Sequence, residues 1–171
     1  QNGNLTLNGK VLIGAEKSRI KTLDLPALTT MSEHCLQNTD ALTEFSAPAL
    51  TAMGDFCLTE AMALTKFNAP KLTAMGDCCL EDASALKAFN APALTIMGEY
   101  CLYYAGSLTA FNAPLLARMG NYCLSNSDAL AAFDTPLLTA MGDFCLRGAA
   151  ALKYFDAPLL TTMGDYCLQD S

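Results

Sequence analysis

The feature that most constrains this chain is a repeat with a strict step of 22 residues. All seven prolines obey it, and a methionine and a cysteine recur with the same step, from Met31 to Met163 and from Cys35 to Cys167. Self-similarity at a fixed period is the signature of stacked repeat architectures. The chain is therefore predicted to be a solenoid in which each unit stacks on the next. The prolines are Pro26, Pro48, Pro70, Pro92, Pro114, Pro136 and Pro158.

One unit, starting at Leu42, reads L-x-x-F-x-A-P-x-L-x-x-M-G-x-x-C-L-x-x-A-x-x. Such a unit is too short for a helix pair and falls in the length range of leucine-rich repeats. The L-x-x-F-x-A phrase is predicted to be a short strand with alternating inward and outward side chains, which the proline ends. A second short extended stretch is expected over L-T-x-M. After Cys-Leu the sequence favours a helical turn.

The order of "MGDFCL" followed by "LTKFNAP" resembles the BspA-like (treponemal-type) leucine-rich repeat family, over nearly the whole chain. The start, "LNGKVLIGAEKSRIKTLDLP", resembles the hairpin that opens the array in many members, and Asn8-Gly9 is a hairpin signal in its own right. Two departures concern packing: the unit is one residue short, and Phe, Met and Cys replace the common Ile, Ile and Ala. The resemblance implies a secreted or surface-displayed binding repeat, often an adhesin, without catalytic residues.

The expected fold class is an α/β-type repeat solenoid with 22-residue rungs. A parallel β-sheet forms one face, and short helical or irregular turns form the other. We expect residues 1–19 to be an N-terminal β-hairpin cap and residues 20–171 to be a seven-rung leucine-rich repeat solenoid, together a single domain.

Charge and composition argue against several classes of function. Seventeen acidic and ten basic residues give a net charge of −7, with no basic stripe to bind nucleic acid. No apolar run approaches the roughly 20 residues of a membrane span. The one histidine, His34, stands in a column that is aromatic in every other turn but that of Cys78, and no G-x-S-x-G, P-loop or H-E-x-x-H motif occurs. We expect neither an enzyme nor a cofactor.

The cysteine column could be a metal site, a redox device, a set of disulfides or a run of small buried residues. A single file of parallel side chains surrounds a tetrahedral metal ion poorly, and it rarely reaches the dihedral angle of a disulfide. Small buried hydrophobic residues are the favoured interpretation. The extra cysteine, Cys78, replaces an aromatic residue and is predicted to be the more exposed thiol. Unpaired thiols fit poorly with an oxidising exterior, so a cytoplasmic location stays open beside an extracellular or cell-surface one.

Two outward positions flank the repeated phenylalanine. The position after it holds Asn68, Asn90 and Asn112, whose amides could share hydrogen bonds along the stack or form a polar binding strip.

Tyr103-Tyr104 lies where the units differ most, just after Cys-Leu, and exposed aromatic residues anchor interfaces. An acidic column after the glycine is interpreted as turn residues in preference to a calcium site.

These observations predict a non-catalytic surface or secreted binding or adhesion protein that recognises protein or glycan ligands through the outward face of its parallel sheet. The alternatives are a structural protein that stacks head to tail into homo-oligomers or filaments, and an intracellular interaction scaffold. No metal site is expected. The candidate ligand-binding residues are Glu44, Lys66, Asn68, Asn90, Asn112, Asp134, Tyr154, Asp156, Tyr103 and Tyr104.

Overall fold

The computed structural model describes residues 6–7, 10–11 and 19–171. Each turn of the array contributes one three-residue strand and one two-residue strand. The three-residue strands are β3 (Thr22–Asp24), β5 (Glu44–Ser46), β7 (Lys66–Asn68), β9 (Ala88–Asn90), β11 (Ala110–Asn112), β13 (Ala132–Asp134) and β15 (Tyr154–Asp156). The two-residue strands are β4 (Thr30–Met31), β6 (Ala52–Met53), β8 (Ala74–Met75), β10 (Ile96–Met97), β12 (Arg118–Met119), β14 (Ala140–Met141) and β16 (Thr162–Met163).

Residues 22 apart lie in register, as the period predicts. In the three-residue strands Phe45 pairs with Phe67 and Phe67 with Phe89, all in parallel strands. The central phenylalanine points inward while its neighbours face outward, because successive side chains of a strand alternate between the two sides. Their ring centroids lie 5.5 Å apart for Phe45 and Phe67 and 5.2 Å apart for Phe67 and Phe89. The interior is thus made of repeated columns.

The two-residue strands form one continuous parallel sheet from β4 to β16. Met53 pairs with Met75, and Met75 with Met97. This sheet holds seven strands, which means six full turns between the first and the last. The chain is a parallel β-solenoid with rungs of 22 residues, as expected.

The predicted helical turn after Cys-Leu is wrong: residues 19–171 contain no α-helix. In its place the segment has positive φ at alternate positions, for example 58° at Phe56, 58° at Leu58 and 57° at Glu60. This alternation turns the peptide groups toward the neighbouring turns. The Phe56 N–H donates to the Asp77 carbonyl (2.8 Å) and the Leu58 N–H to the Cys35 carbonyl (2.9 Å). Hydrogen bonds between turns replace the bonds that a helix would form within the segment.

The predicted opening hairpin is present as two short antiparallel strands, β1 (Thr6–Leu7) and β2 (Lys10–Val11). Its role as a cap is not supported, because among the described strands these two contact each other and neither contacts a strand of the array. Asn8-Gly9 and most of the other residues assigned to the cap lie outside the described residues.

The three-residue strands do not form one sheet. Strands β3 to β11 form a five-stranded sheet, β13 and β15 form a separate pair, and β11 and β13 are not paired. Elsewhere the Ala91 N–H donates to the Asn112 carbonyl (3.0 Å), but Ala113 lacks the equivalent bond to Asp134. The core ring of β11, Phe111, is partly exposed, whereas Phe89 is 1% exposed. The solenoid is slightly open at this junction.

Two departures from the repeat accompany the open junction. Ser127 and Thr135 stand in columns that hold alanine in the adjoining turns, and both are fully buried. Neither hydroxyl has a hydrogen-bond partner. A larger side chain in a column of alanines pushes neighbouring turns apart, and an unpaired buried hydroxyl is itself destabilising.

Thr135→Ala is therefore expected to raise the free energy of unfolding by about 1 kcal/mol, because it removes an unpaired buried hydroxyl and restores the alanine column. Denaturant titration measures the change, and amide exchange at Ala113 should slow as β11 pairs with β13. Thr39→Ala is the matched control. Thr39 is also buried, but its hydroxyl donates to the Leu36 carbonyl (2.9 Å), so this variant should be destabilised. A destabilised Thr135→Ala would contradict this explanation of the junction.

Candidate functional site

Eight of the ten candidate residues lie together on the outer side of the three-residue strands. Strand alternation places them there, on either side of the buried phenylalanine. We call this surface the outer strip, defined by the residues directly before and after the phenylalanine or leucine of β3 to β15. The candidates on it are Glu44, Lys66, Asn68, Asn90, Asn112, Asp134, Tyr154 and Asp156.

An ion pair lies toward one end of the outer strip. The Lys66 Nζ is 3.0 Å from the Glu44 Oε1, and the side chains are 67% and 51% exposed. Exposed pairs of this kind contribute little to stability. Because both side chains are exposed, their charges are accessible to a ligand.

An asparagine ladder occupies the middle of the outer strip. The Asn90 Nδ2 donates to the Asn68 Oδ1 and the Asn112 Nδ2 to the Asn90 Oδ1, each at 2.7 Å. The predicted sharing of amide hydrogen bonds along the stack is confirmed. Since an amide offers two N–H donors and two acceptor lone pairs, each side chain keeps hydrogen-bonding capacity for a ligand.

The other end of the outer strip is acidic. Asp134 cannot extend the ladder because a carboxylate has no N–H to donate. It pairs in register with Asp156, whose Oδ2 accepts a hydrogen bond from the Tyr154 hydroxyl (3.1 Å). This hydrogen bond, with the nearby carboxylate charge, raises the pKa of Tyr154. An exposed aromatic ring thus stands beside two carboxylates.

The structure places Tyr103 and Tyr104 away from the outer strip, in the turn segment after Cys-Leu. The Tyr103 ring lies 4.3 Å from that of Tyr104 and 5.6 Å from that of Tyr100, both edge to face. Tyr104 is 48% exposed. The ten candidates are therefore two separate groups on different segments of the turn.

The acidic column after the glycine links consecutive turns of the solenoid, a role beyond the turn residues expected from the sequence. The Asp55 Oδ1 accepts the N–H of Asp77 (2.9 Å), and the Asp77 Oδ1 accepts the N–H of Glu99 (2.8 Å). Within the described part of the chain, no group of three or more His, Cys, Asp or Glu side chains could hold a metal ion.

Comparison with known proteins decides the family. A family model described as "BspA type Leucine rich repeat region" matches six copies, over residues 15–131 and 51–171. The chain belongs to this family. Members of this BspA-type family are often surface-associated, and leucine-rich repeats suit a binding or scaffold role. No helix in the described residues is long and apolar enough to cross a membrane.

A solved leucine-rich repeat protein from Bacteroides ovatus ATCC 8483 shares the fold of this BspA-type chain. The TM-score is 0.55 at 14% sequence identity, covering 94% of this chain and 51% of that one. The BspA-type chain thus spans about half the length of this structural neighbour. The search of curated proteins gave no match.

The cysteine column of the BspA-type solenoid has a role that its sequence did not reveal. Each thiol from Cys57 to Cys167 donates to a main-chain carbonyl of the preceding turn, as Cys101 Sγ does to the Gly76 carbonyl (3.0 Å). All eight cysteines are free, and those from Cys35 to Cys145 in the column are buried. Burial raises the pKa of Cys101 and Cys123 far above the usual range, so these thiols stay protonated and are poor nucleophiles or ligands.

A second aromatic column of the BspA-type solenoid lies in the turn segment. Tyr100 stacks on Tyr122 and Tyr122 on Phe144 at 4.6 Å, and Phe144 on Tyr166 at 4.8 Å. At the start of the array His34 stacks on Phe56 at 4.8 Å. The sequence displayed these residues in one column, but their stacking depends on the left-handed backbone that the sequence did not predict.

Proposed function

We propose that this BspA-type solenoid is a non-catalytic binding protein that acts at the cell surface or outside the cell and recognises protein or glycan ligands through the outer strip. The observation that carries the proposal is the outer strip itself: eight polar or aromatic residues on one preformed surface. Binding to a preformed surface costs little ordering entropy, so many modest contacts are enough for useful affinity.

The chemistry of the outer strip suits ligands rich in hydroxyl or peptide groups. The ladder amides of Asn90 and Asn112 retain donors and acceptors that match either group. Tyr154, 52% exposed beside Asp156, offers an aromatic face near a carboxylate. Such a ring packs against the apolar face of a sugar or a side chain.

The surroundings of the reactive side chains support a non-catalytic role. The ring of the one histidine, His34, lies on Phe56, and its Nδ1 is 3.2 Å from the Gln37 Oε1. Neither contact is with a nucleophile that the histidine could activate. The buried column thiols are engaged with main-chain carbonyls.

The test is a triple variant, Asn90→Ala with Asn112→Ala and Tyr154→Ala, compared with the parent chain on arrays of immobilised glycans and extracellular matrix proteins. Array members bound by the parent chain should lose at least about tenfold in affinity, which is 1.4 kcal/mol. The unfolding temperature should change little, because the substituted groups lie on the surface.

The matched control is Ile96→Ala with Arg118→Ala, which alters exposed residues of the other sheet. It should bind like the parent chain. Equal loss of binding in both variants, unchanged binding by the triple variant, or no array member bound by the parent chain would each contradict the proposal.

A further inference from the structure

The aromatic column of the turn segment is interrupted at one position. Cys78 stands where the other turns carry a ring, so that Phe56 lies on one side of it and Tyr100 on the other. Cys78, Phe56 and Tyr100 are all partly exposed. We call the space between these two rings, above the thiol, the Cys78 slot.

The spacing of the repeat gives the Cys78 slot the width of one planar group. Adjacent rings of the column stack 4.6 to 4.8 Å apart with planes within 6 to 12° of parallel. Phe56 and Tyr100 are two turns apart, which separates their faces by about 9.5 Å, twice the spacing of paired strands. A planar group midway would lie about 4.7 Å from each face, at the spacing that the column uses elsewhere.

Three carboxylates act on the thiol at the base of the slot. Burial raises the pKa of Cys78 to about 12, together with the charge of Glu81, its hydrogen bond with the thiol, and the charges of Asp77 and Asp55. In residues 19–171 the structure gives none of these three carboxylates an ion-pair partner. Asp55 and Asp77 each use one oxygen to accept a main-chain N–H, which leaves their second oxygens available. The slot combines two aromatic faces with an excess of negative charge.

We propose that the Cys78 slot binds an arginine side chain of a protein partner, with its guanidinium stacked between Phe56 and Tyr100. A guanidinium is planar, weakly hydrated and always charged, and it stacks on aromatic faces while its N–H groups reach carboxylates. A lysine ammonium is a compact point charge that fills no planar slot, and a neutral aromatic ring would leave the carboxylates unused.

The chain already shows this type of contact in the same column. The guanidinium carbon of Arg147 lies 5.7 Å from the centroid of the Phe144 ring. Arg147 reaches that ring from the variable position three residues on, which Glu81 occupies in the turn of Cys78. The Cys78 slot has the carboxylate where the other turn has the arginine. This surface is separate from the outer strip, so the two proposals stand or fall independently.

The test uses the full chain and two peptides of equal length, Gly-Arg-Gly-Arg-Gly and Gly-Lys-Gly-Lys-Gly. Binding is followed by the ring proton resonances of Phe56 and Tyr100 and by the alkylation rate of Cys78. The arginine peptide should shift both sets of resonances and slow alkylation, and it should bind about tenfold more tightly than the lysine peptide. Equal binding of the two peptides would overturn the proposal, since it would show a merely acidic surface.

Two variants at Cys78 separate the slot from the surrounding charge. Cys78→Phe fills the slot with a ring and keeps every carboxylate, so it should lose the preference for arginine. Cys78→Ala keeps the slot open and should bind like the parent chain. Glu81→Gln, which preserves shape, should weaken arginine binding several-fold and serves as the independent readout if Cys78→Phe does not fold. Undiminished binding by Cys78→Phe, or by Glu81→Gln in its place, would refute the proposal, as would equal binding of a Gly-Phe-Gly-Phe-Gly peptide.

Discussion

Gly98→Ala is expected to lower the free energy of unfolding by about 3 kcal/mol or more, the upper end of the range for overpacking. A Cβ at this position would lie 2.7 Å from the carbonyl carbon of Gly76 and 2.8 Å from the amide nitrogen of Asp77. Both atoms belong to the backbone of the preceding turn, which cannot move aside alone. The Gly98 N–H also donates to the Met75 carbonyl (2.9 Å), so separating the turns would lengthen this bond. Denaturant unfolding measures the loss.

Gly106→Ala is the matched control. A Cβ there would meet only the Asn126 carbonyl oxygen at 3.9 Å and the Asp128 Oδ2 at 4.0 Å, and Gly106 is not among the residues with positive φ. Its unfolding free energy should stay within about 0.5 kcal/mol of the parent value. Similar losses at both glycines would show that the close approach of consecutive turns is not what demands glycine.

The glycine column has one exception in the sequence. Ser32 occupies the glycine position of the first array turn, and β4 is the first strand of its sheet, so no described turn of the array lies below it. Gly54, one turn later, already lies against that turn: a Cβ there would be 2.9 Å from the Glu33 amide nitrogen. Glycine in this column thus makes room for the backbone of the preceding turn wherever the structure describes one.

The register and the interior were predictable because a strict period leaves one way to align identical units. Once Phe67 was assigned to a strand, alternation fixed the outward direction of Lys66 and Asn68, and with it the composition of the outer strip. Eight of the ten candidates were brought together for this reason. Their role in binding stays a prediction.

The turn conformation could not be predicted in the same way. Phe56, Leu58 and Tyr100 have φ between 57° and 58°, a region that such side chains rarely adopt. Local preference favoured a helical turn, but hydrogen bonds to the turns above and below impose the left-handed backbone. Those bonds exist only in the stacked array. The sequence of a single unit therefore does not indicate the left-handed conformation.

The open junction and the Cys78 slot were visible in the sequence only as exceptions. Thr135 in an alanine column and Cys78 in an aromatic column have opposite effects on packing, since one adds volume and the other removes it. Whether the surrounding residues close the space left by a smaller side chain, or move apart for a larger one, depends on how they pack. At Thr135 the sheet opens, and at Cys78 the column of rings is interrupted.

Phe89→Ala is expected to cost about 3–5 kcal/mol of unfolding free energy, the range for deleting a buried aromatic side chain. The Phe89 ring is 1% exposed and lies between those of Phe67 at 5.2 Å and Phe111 at 5.3 Å. Its removal leaves a cavity that the turns cannot close, because the hydrogen-bonded strands on both sides fix their spacing.

Phe155→Ala is the matched control for this prediction, since it deletes the same side chain from the same column. Phe155 is partly exposed and stacks within the array on Phe133 alone, at 5.6 Å. Less buried surface and one stacking neighbour should reduce the loss to roughly half that of Phe89→Ala, because the stabilisation is proportional to the apolar area removed from water. Both variants are compared by denaturant unfolding of the full chain. Equal losses would mean that each ring contributes independently of its neighbours, contrary to a core built from continuous stacks.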